Sequence, residues 1–162
     1  MFKESYPHMK FPLWVPRPAY ETLGIYAEWS ATYDADLTAA GYESPRRVAE
    51  AIRQFSTPDT TILDFGCGTG LSRQALQAAE FKHIDGVEIS SEMLALAKQK
   101  DAYNSVWQCA LGEITDVKCG QYQVIVAAGV ISLGAAPPET LSLIIDHLDN
   151  GGMAGFLFND PT

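Results

Sequence analysis

The stretch Ile62-Leu-Asp-Phe-Gly-Cys-Gly-Thr-Gly-Leu-Ser72 carries an apolar run into three glycines at alternate positions, Gly66, Gly68 and Gly70. Glycine at that spacing lets the backbone turn sharply and lets a ligand approach amides that no side chain shields. A helix is predicted to begin at Leu71, and its free N–H groups and dipole favour a carboxylate or phosphate at its start. The second signal is Glu88, at the end of the apolar segment His83-Ile-Asp-Gly-Val-Glu88 and 22 residues beyond Gly66. A carboxylate there can accept hydrogen bonds from both hydroxyls of a ribose lying across the strand ends. Together the two point to a nucleotide-type ligand. The spacing is G-x-G-x-G, whereas the dinucleotide fingerprint is G-x-G-x-x-G, and Leu71 stands where that pattern has glycine or alanine. A nicotinamide dinucleotide therefore fits imperfectly and stays open as an alternative. A P-loop is excluded, because no Gly-Lys-Ser/Thr follows.

Other chemistry is sparse. Cys67, Cys109 and Cys119 show no C-x-x-C spacing and no even framework, so neither a metal cluster nor a disulfide scaffold is expected, and a reducing, cytoplasmic setting is. His147 reads as a packing or surface histidine within a helix, and His8 lies in the N-terminal segment. No residue declares itself as a general base, and no catalytic residue is assigned. The 162 residues are 47% hydrophobic and 19% charged, with a formal net charge of −9. Such a chain can bury a core, and its field repels nucleic acid and anionic membranes. No apolar run approaches the length of a membrane span.

Several elements must position these residues. Residues 1–20 hold Pro7, Pro12, Pro16 and Pro18 interleaved with Phe2, Tyr6, Phe11 and Trp14, which predicts an extended arm. It carries Lys3, Lys10 and Arg17 against Glu4, a net +2, which leaves −11 on the rest of the chain. The arm is expected to dock on its own domain or on a second copy. Residues 21–162 form one domain. Leu23, Tyr26, Ala27, Tyr33 and Leu37 predict helix from about Tyr20 to Ala40 with a break near Ser30, and Ser44-Pro45 predicts a capped helix to about Ser56. From there strands alternate with helices. Strands are expected at Thr61–Phe65, His83–Glu88, Ser105–Cys109, Tyr122–Ala128 and Met153–Phe158. The intervening helices run from Leu71 to Ala79, from Ser90 or Ser91 to Lys100, and from Pro137 to Leu148. This is the pattern of an α/β, doubly wound parallel sheet, in which right-handed crossovers favour the strand order 3-2-1-4-5 with a ligand crevice beside the first strand.

In this order and spacing, four segments resemble the class I S-adenosylmethionine-dependent methyltransferases, whose fold is Rossmann-like. They are Leu63-Asp-Phe-Gly-Cys-Gly-Thr-Gly70, Gly86-Val-Glu-Ile-Ser90 with Met93-Leu94, Tyr122-Gln-Val-Ile-Val-Ala-Ala-Gly-Val-Ile131, and Leu148-Asp-Asn-Gly-Gly-Met153. Upstream, Tyr26-Ala-Glu-Trp-Ser-Ala-Thr-Tyr-Asp34 and Gly41-Tyr-Glu-Ser-Pro45 are similar to the N-terminal helices of small-molecule members, in particular the Williams–Beuren syndrome region methyltransferase-like group.

The resemblance implies S-adenosylmethionine as cofactor and methyl transfer to a small-molecule, or else a protein, acceptor. It places Asp64 and the loop Gly66, Cys67, Gly68, Thr69 and Gly70 at the amino-acid end of the cofactor, Glu88 at the ribose, and Ile89 and Met93 around the adenine. Ala110 and Leu111 stand where many relatives read the adenine amino group with an acid, which leaves that task to backbone groups or Glu113. Ala128, Gly129 and Val130 would line the methionine part, and Tyr33 would close over the cofactor. The family fold usually adds a sixth and a seventh strand, which are expected to be missing from this chain. The fifth strand then becomes an apolar edge, a place for homodimer contact or for the arm. A module that binds the cofactor without turnover is the remaining alternative.

Overall fold

The computed structural model describes residues 16–157, Leu133 excepted. The expected arm therefore lies almost wholly outside the described residues, as does Phe158. Helix α1 (Ala19–Trp29) and helix α2 (Tyr33–Ala39) form the predicted interrupted pair. The break falls at Ser30–Thr32, where the Ser30 hydroxyl donates to the Ala27 carbonyl at 2.8 Å and so competes with continued helix. Across the break, Trp29 Nε1 donates to Asp36 Oδ2 at 2.7 Å and holds the two helices together.

Helix α3 (Ser44–Arg53) starts one residue earlier than a Ser44 cap implies. Glu43 occupies the capping position and its carboxylate accepts from Arg46, while Pro45 sits in the first turn, where a missing N–H costs nothing. Strand β1 (Thr61–Phe65), helix α4 (Leu71–Ala78), strand β2 (His83–Glu88) and helix α5 (Ser91–Gln99) follow as expected. The Ser90 hydroxyl caps α5 by accepting from the Met93 N–H at 3.3 Å. Strand β3 (Val106–Gln108), strand β4 (Tyr122–Ala127), helix α6 (Thr140–His147) and strand β5 (Leu148–Phe156) complete the order.

Strand β5 corrects the sequence reading at both ends. The chain leaves α6 directly into extended backbone at Leu148 and pairs Tyr122 with Leu148, then Val124 with Met153. Asp149 to Gly152 are taken up in a bulge, with Gly151 at φ +84°, so the two glycines lie inside the strand instead of before it.

The sheet has the order β3-β2-β1-β4-β5, and its neighbouring strands all pair in parallel. Alternate residues serve two cores. Leu63, Phe65, Val87, Ile125 and Ala127 pack with Ile131 and Ile144, whereas Ile62, Ile84, Val124 and Val126 pack with Val48, Ala49 and Ile52 of α3 and Leu76 of α4. Because β1 has β2 on one side and β4 on the other, the connections leaving β1 and β4 diverge and open a crevice at their carboxyl ends. Among the described residues no helix is long and apolar enough to cross a membrane.

Candidate functional site

The crevice encloses a cavity of about 220 Å³. Gly66 and Gly68 approach it from the loop after β1, Glu88 and Ile89 from the end of β2, and Met93 from α5. Cys109, Leu111 and Gly112 follow β3, and Ala128, Gly129 and Val130 follow β4. Thr22, Tyr26 and Tyr33 of α1 and α2 face it from the N-terminal helices, and Ala135, Ala136, Pro137 and Thr140 line the remaining wall.

Two glycines are required by geometry. Gly66 has φ +69°, and a Cβ there would lie 2.5 Å from Val130 Cγ2. Gly129 has φ +73°, and a Cβ would lie 2.1 Å from the Tyr42 hydroxyl. The connections after β1 and β4 therefore meet at Gly66 and Val130 closer than a side chain allows, and Gly129 leaves room for Tyr42. The loop amides are held in place: Gly66 and Cys67 donate to the Val87 carbonyl at 2.9 and 3.0 Å, and Gly68 donates to Glu88, so the loop presents side-chain-free backbone to the cavity.

Glu88 is 6% exposed, and burial pushes its carboxyl above the usual range. Three backbone amides oppose that shift: Oε2 accepts from Gly68 at 2.8 Å, and Oε1 accepts from Ile89 at 2.9 Å and from Ser90 at 2.8 Å. Oε1 is thereby filled, while Oε2 keeps one lone pair for a further donor. Among the described lining residues Glu88 alone is an acid, and none is Lys, Arg or His. Burial holds the Tyr26 and Tyr33 phenols well above their ordinary range and lifts the Cys109 thiol to about 11, so all three are neutral. The rings of Tyr26 and Tyr33 meet edge to face at 6.3 Å, and Trp29 backs Tyr33 at 4.6 Å. A cavity with one carboxylate and two aromatic walls suits a ligand that carries positive charge.

The sequence-predicted residues divide into two groups. Tyr33, Gly66, Gly68, Glu88, Ile89, Met93, Leu111, Ala128 and Gly129 reach the cavity together. Asp64, Cys67, Thr69, Gly70 and Ala110 do not line it. Asp64 is fully buried beneath the loop and accepts a hydrogen bond from Tyr103 at 2.7 Å. Cys67 is buried, with Sγ 3.0 Å from where a Gly86 Cβ would stand. Thr69 turns its hydroxyl to Asp34 of α2, whose other oxygen takes Lys100, so the glycine loop is tied to the N-terminal helices. Gly70 caps α4 at φ +96°. Ala110 is exposed, as is Glu113, which does not line the cavity either. Sequence reasoning missed Tyr26, Cys109 and Thr140. Tyr26 and Tyr33 lie on different helices on either side of the break and meet only through the folded arrangement, so no helical spacing marked Tyr26 in the sequence. Among the described residues no cluster of His, Cys, Asp and Glu could hold a metal ion.

A family model described as a methyltransferase domain matches residues 63–154, from the middle of β1 into β5. The chain belongs to that family. Its sequence motifs and fold place it among the class I S-adenosylmethionine-dependent methyltransferases. Human methyltransferase-like protein 27 is 31% identical over 121 residues, which are 72% of this chain and 49% of that protein. The chain thus spans about half the length of this curated relative. The structure of a TehB-like SAM-dependent methyltransferase from Corynebacterium glutamicum superimposes with a TM-score of 0.61 at 23% identity, over 82% of this chain and 72% of that one. The DhpI–SAH complex superimposes with a TM-score of 0.64 at 19% identity, over 85% of this chain and 67% of that one. These likenesses show that the methyltransferase fold is shared.

Proposed function

We propose that this chain binds S-adenosylmethionine in the crevice cavity and transfers its methyl group to a small-molecule acceptor. The observation that carries this reading is Glu88, a buried carboxylate with one free lone pair, beside the side-chain-free backbone of Gly66 and Gly68 and across the cavity from two neutral tyrosines. Family membership supports it, as does the SAH named in the complex of a fold neighbour. The narrower kinship to the Williams–Beuren group rests on the resemblance of the Tyr26–Asp34 and Gly41–Pro45 stretches alone.

In this reading Glu88 Oε2 accepts from a ribose hydroxyl, and Ile89, Met93 and Leu111 pack on the adenine, with the methionine sulfur of Met93 adapting to the flat ring. Gly66, Gly68, Ala128 and Gly129 face the methionine part. The Tyr26 and Tyr33 faces stabilise positive charge at the sulfur and exclude water from it. When bound, the sulfonium supplies a methyl carbon to a lone pair of the acceptor, and the electrons of the breaking S–CH3 bond stay on sulfur. The chain contributes proximity, orientation and electrostatics, which is what an excellent leaving group leaves for a protein to do. Asp64 and Thr69 act from behind the loop, through its backbone.

Calorimetric titration with S-adenosylhomocysteine tests the assignment. Saturable one-to-one binding is expected, weakened at least about tenfold by Glu88→Gln, which replaces a charged acceptor by a neutral one. Binding that ignores the substitution would place the ligand elsewhere.

A further inference from the structure

A polar cluster that takes no part in lining the cavity lies directly behind the glycine loop. Asp64 Oδ2 accepts from the Tyr103 hydroxyl at 2.7 Å, while Asp64 Oδ1 is buried without a hydrogen-bond partner. Arg73 of α4 is 8% exposed, and its Nε and Nη1 are likewise buried without partners. Native interiors leave few polar atoms in that condition, so a concentration of three behind a ligand loop asks for an explanation. Tyr103 comes from the turn between α5 and β3. Its ring covers the bare faces of Gly70 and Gly86, 3.4 Å and 3.0 Å from where their Cβ atoms would stand.

The groups bearing on Asp64 come from every side. Burial opposes its charge, and Glu88 at the end of β2 opposes it as well. The Tyr103 hydroxyl is the strongest influence favouring the charged form, and Arg73 adds to it. Cys67, also beside Asp64, is held neutral by burial. We infer that Tyr103 is a positioning residue of the cofactor site: its hydroxyl, donated to Asp64, keeps negative charge beneath the glycine loop, where that charge favours the ammonium group of the cofactor's amino-acid end. The inference rests on the proposed binding of S-adenosylmethionine. Asp64 needs no contact with the ligand for this. In a buried, weakly screened setting a carboxylate acts across the intervening backbone, and Gly66 and Gly68 put no side chain in between.

Tyr103→Phe separates charge from packing, since it keeps the ring over Gly70 and Gly86 and removes one oxygen. Calorimetric titration of the full chain with S-adenosylhomocysteine across about pH 5.5 to 8.5 reads the result. For the wild type, affinity rises up to about tenfold with pH as Asp64 ionises. In Tyr103→Phe the same rise moves up by about one pH unit, because a hydrogen bond to a charged group is worth about that much. In Asp64→Asn the rise is absent. A Tyr103→Phe variant weakened by the same factor at every pH would show a packing role only and overturn the inference. So would wild-type affinity that does not change with pH, although the cofactor reading would stand. Absence of binding to the wild type ends both. Should Tyr103→Phe not fold, carbon-detected NMR titration of the Asp64 carboxyl in the wild type decides: bound S-adenosylhomocysteine is expected to move it to lower pH, and an unmoved titration contradicts the inference.

Discussion

Asp64 and Glu88 lie one strand apart and meet different fates. Glu88 ends its strand and receives three amides, whereas Asp64 sits one position inside β1, opposite Gly86 on β2 and Val126 on β4. Burial pushes the Asp64 carboxyl up to about 7 against an ordinary 3.8. The folded state therefore holds the proton more tightly than the unfolded one. The favourable contribution is complete below about pH 4 and is lost as pH rises through about 7. Asp64→Asn, which keeps an acceptor for Tyr103, is expected to gain stability over the wild type progressively across that window. The gain should be on the order of a few kcal/mol by pH 8. Urea unfolding at a series of pH values measures it, and a difference that is constant with pH would contradict the assignment. The place of Glu88 at the cavity was legible in the sequence because a strand-end acid at that distance from a glycine loop falls where the strand ends open. Asp64 was legible as important but not as buried, because its surroundings depend on Tyr103, 39 residues away and marked by no motif.

Loops and helices were legible where local chemistry decides their ends. Ser90 caps α5, and the break after Trp29 falls where Ser30 competes for backbone. Strand β5 was misplaced because Gly151-Gly152 reads locally as punctuation, while pairing with β4 draws the whole stretch into the sheet as a bulge. That tertiary gain overrides the local signal. The connection after β1 yields a sharper prediction. Gly66→Ala must adopt a left-handed backbone and push a methyl against Val130, costing about 2–4 kcal/mol in total. It should also diminish S-adenosylhomocysteine binding, because Val130 can yield only into the cavity or the core. Chemical denaturation together with calorimetry checks both effects, and a stable variant with intact affinity would show that the loop is slacker than described. In the sheet, Ile125→Ala removes a fully buried side chain and should cost about 2–5 kcal/mol while leaving the cavity lining untouched.

The strand order of the whole molecule was readable because parallel strands joined by right-handed crossovers admit few arrangements, and alternating apolar and glycine-rich segments mark each one. The cavity's covering was not readable at this scale. Tyr33 was anticipated only through the family resemblance, Tyr26 and Thr22 arrive from a helix whose sequence shows only that it is amphipathic, and the Asp34 links to Thr69 and Lys100 that dock these helices appear only in three dimensions. A ligand enclosed between those helices and the sheet should stabilise the domain by mass action. S-adenosylhomocysteine at a hundred times its dissociation constant should add about 2.7 kcal/mol, or roughly 5–10 °C in melting temperature. The most direct test of the account is amide NMR of the isotope-labelled chain titrated with S-adenosylhomocysteine. Saturable shifts are expected, concentrated at Gly66, Gly68, Ile89, Leu111 and Gly129. Shifts centred on another surface, or none in a folded chain, would contradict it.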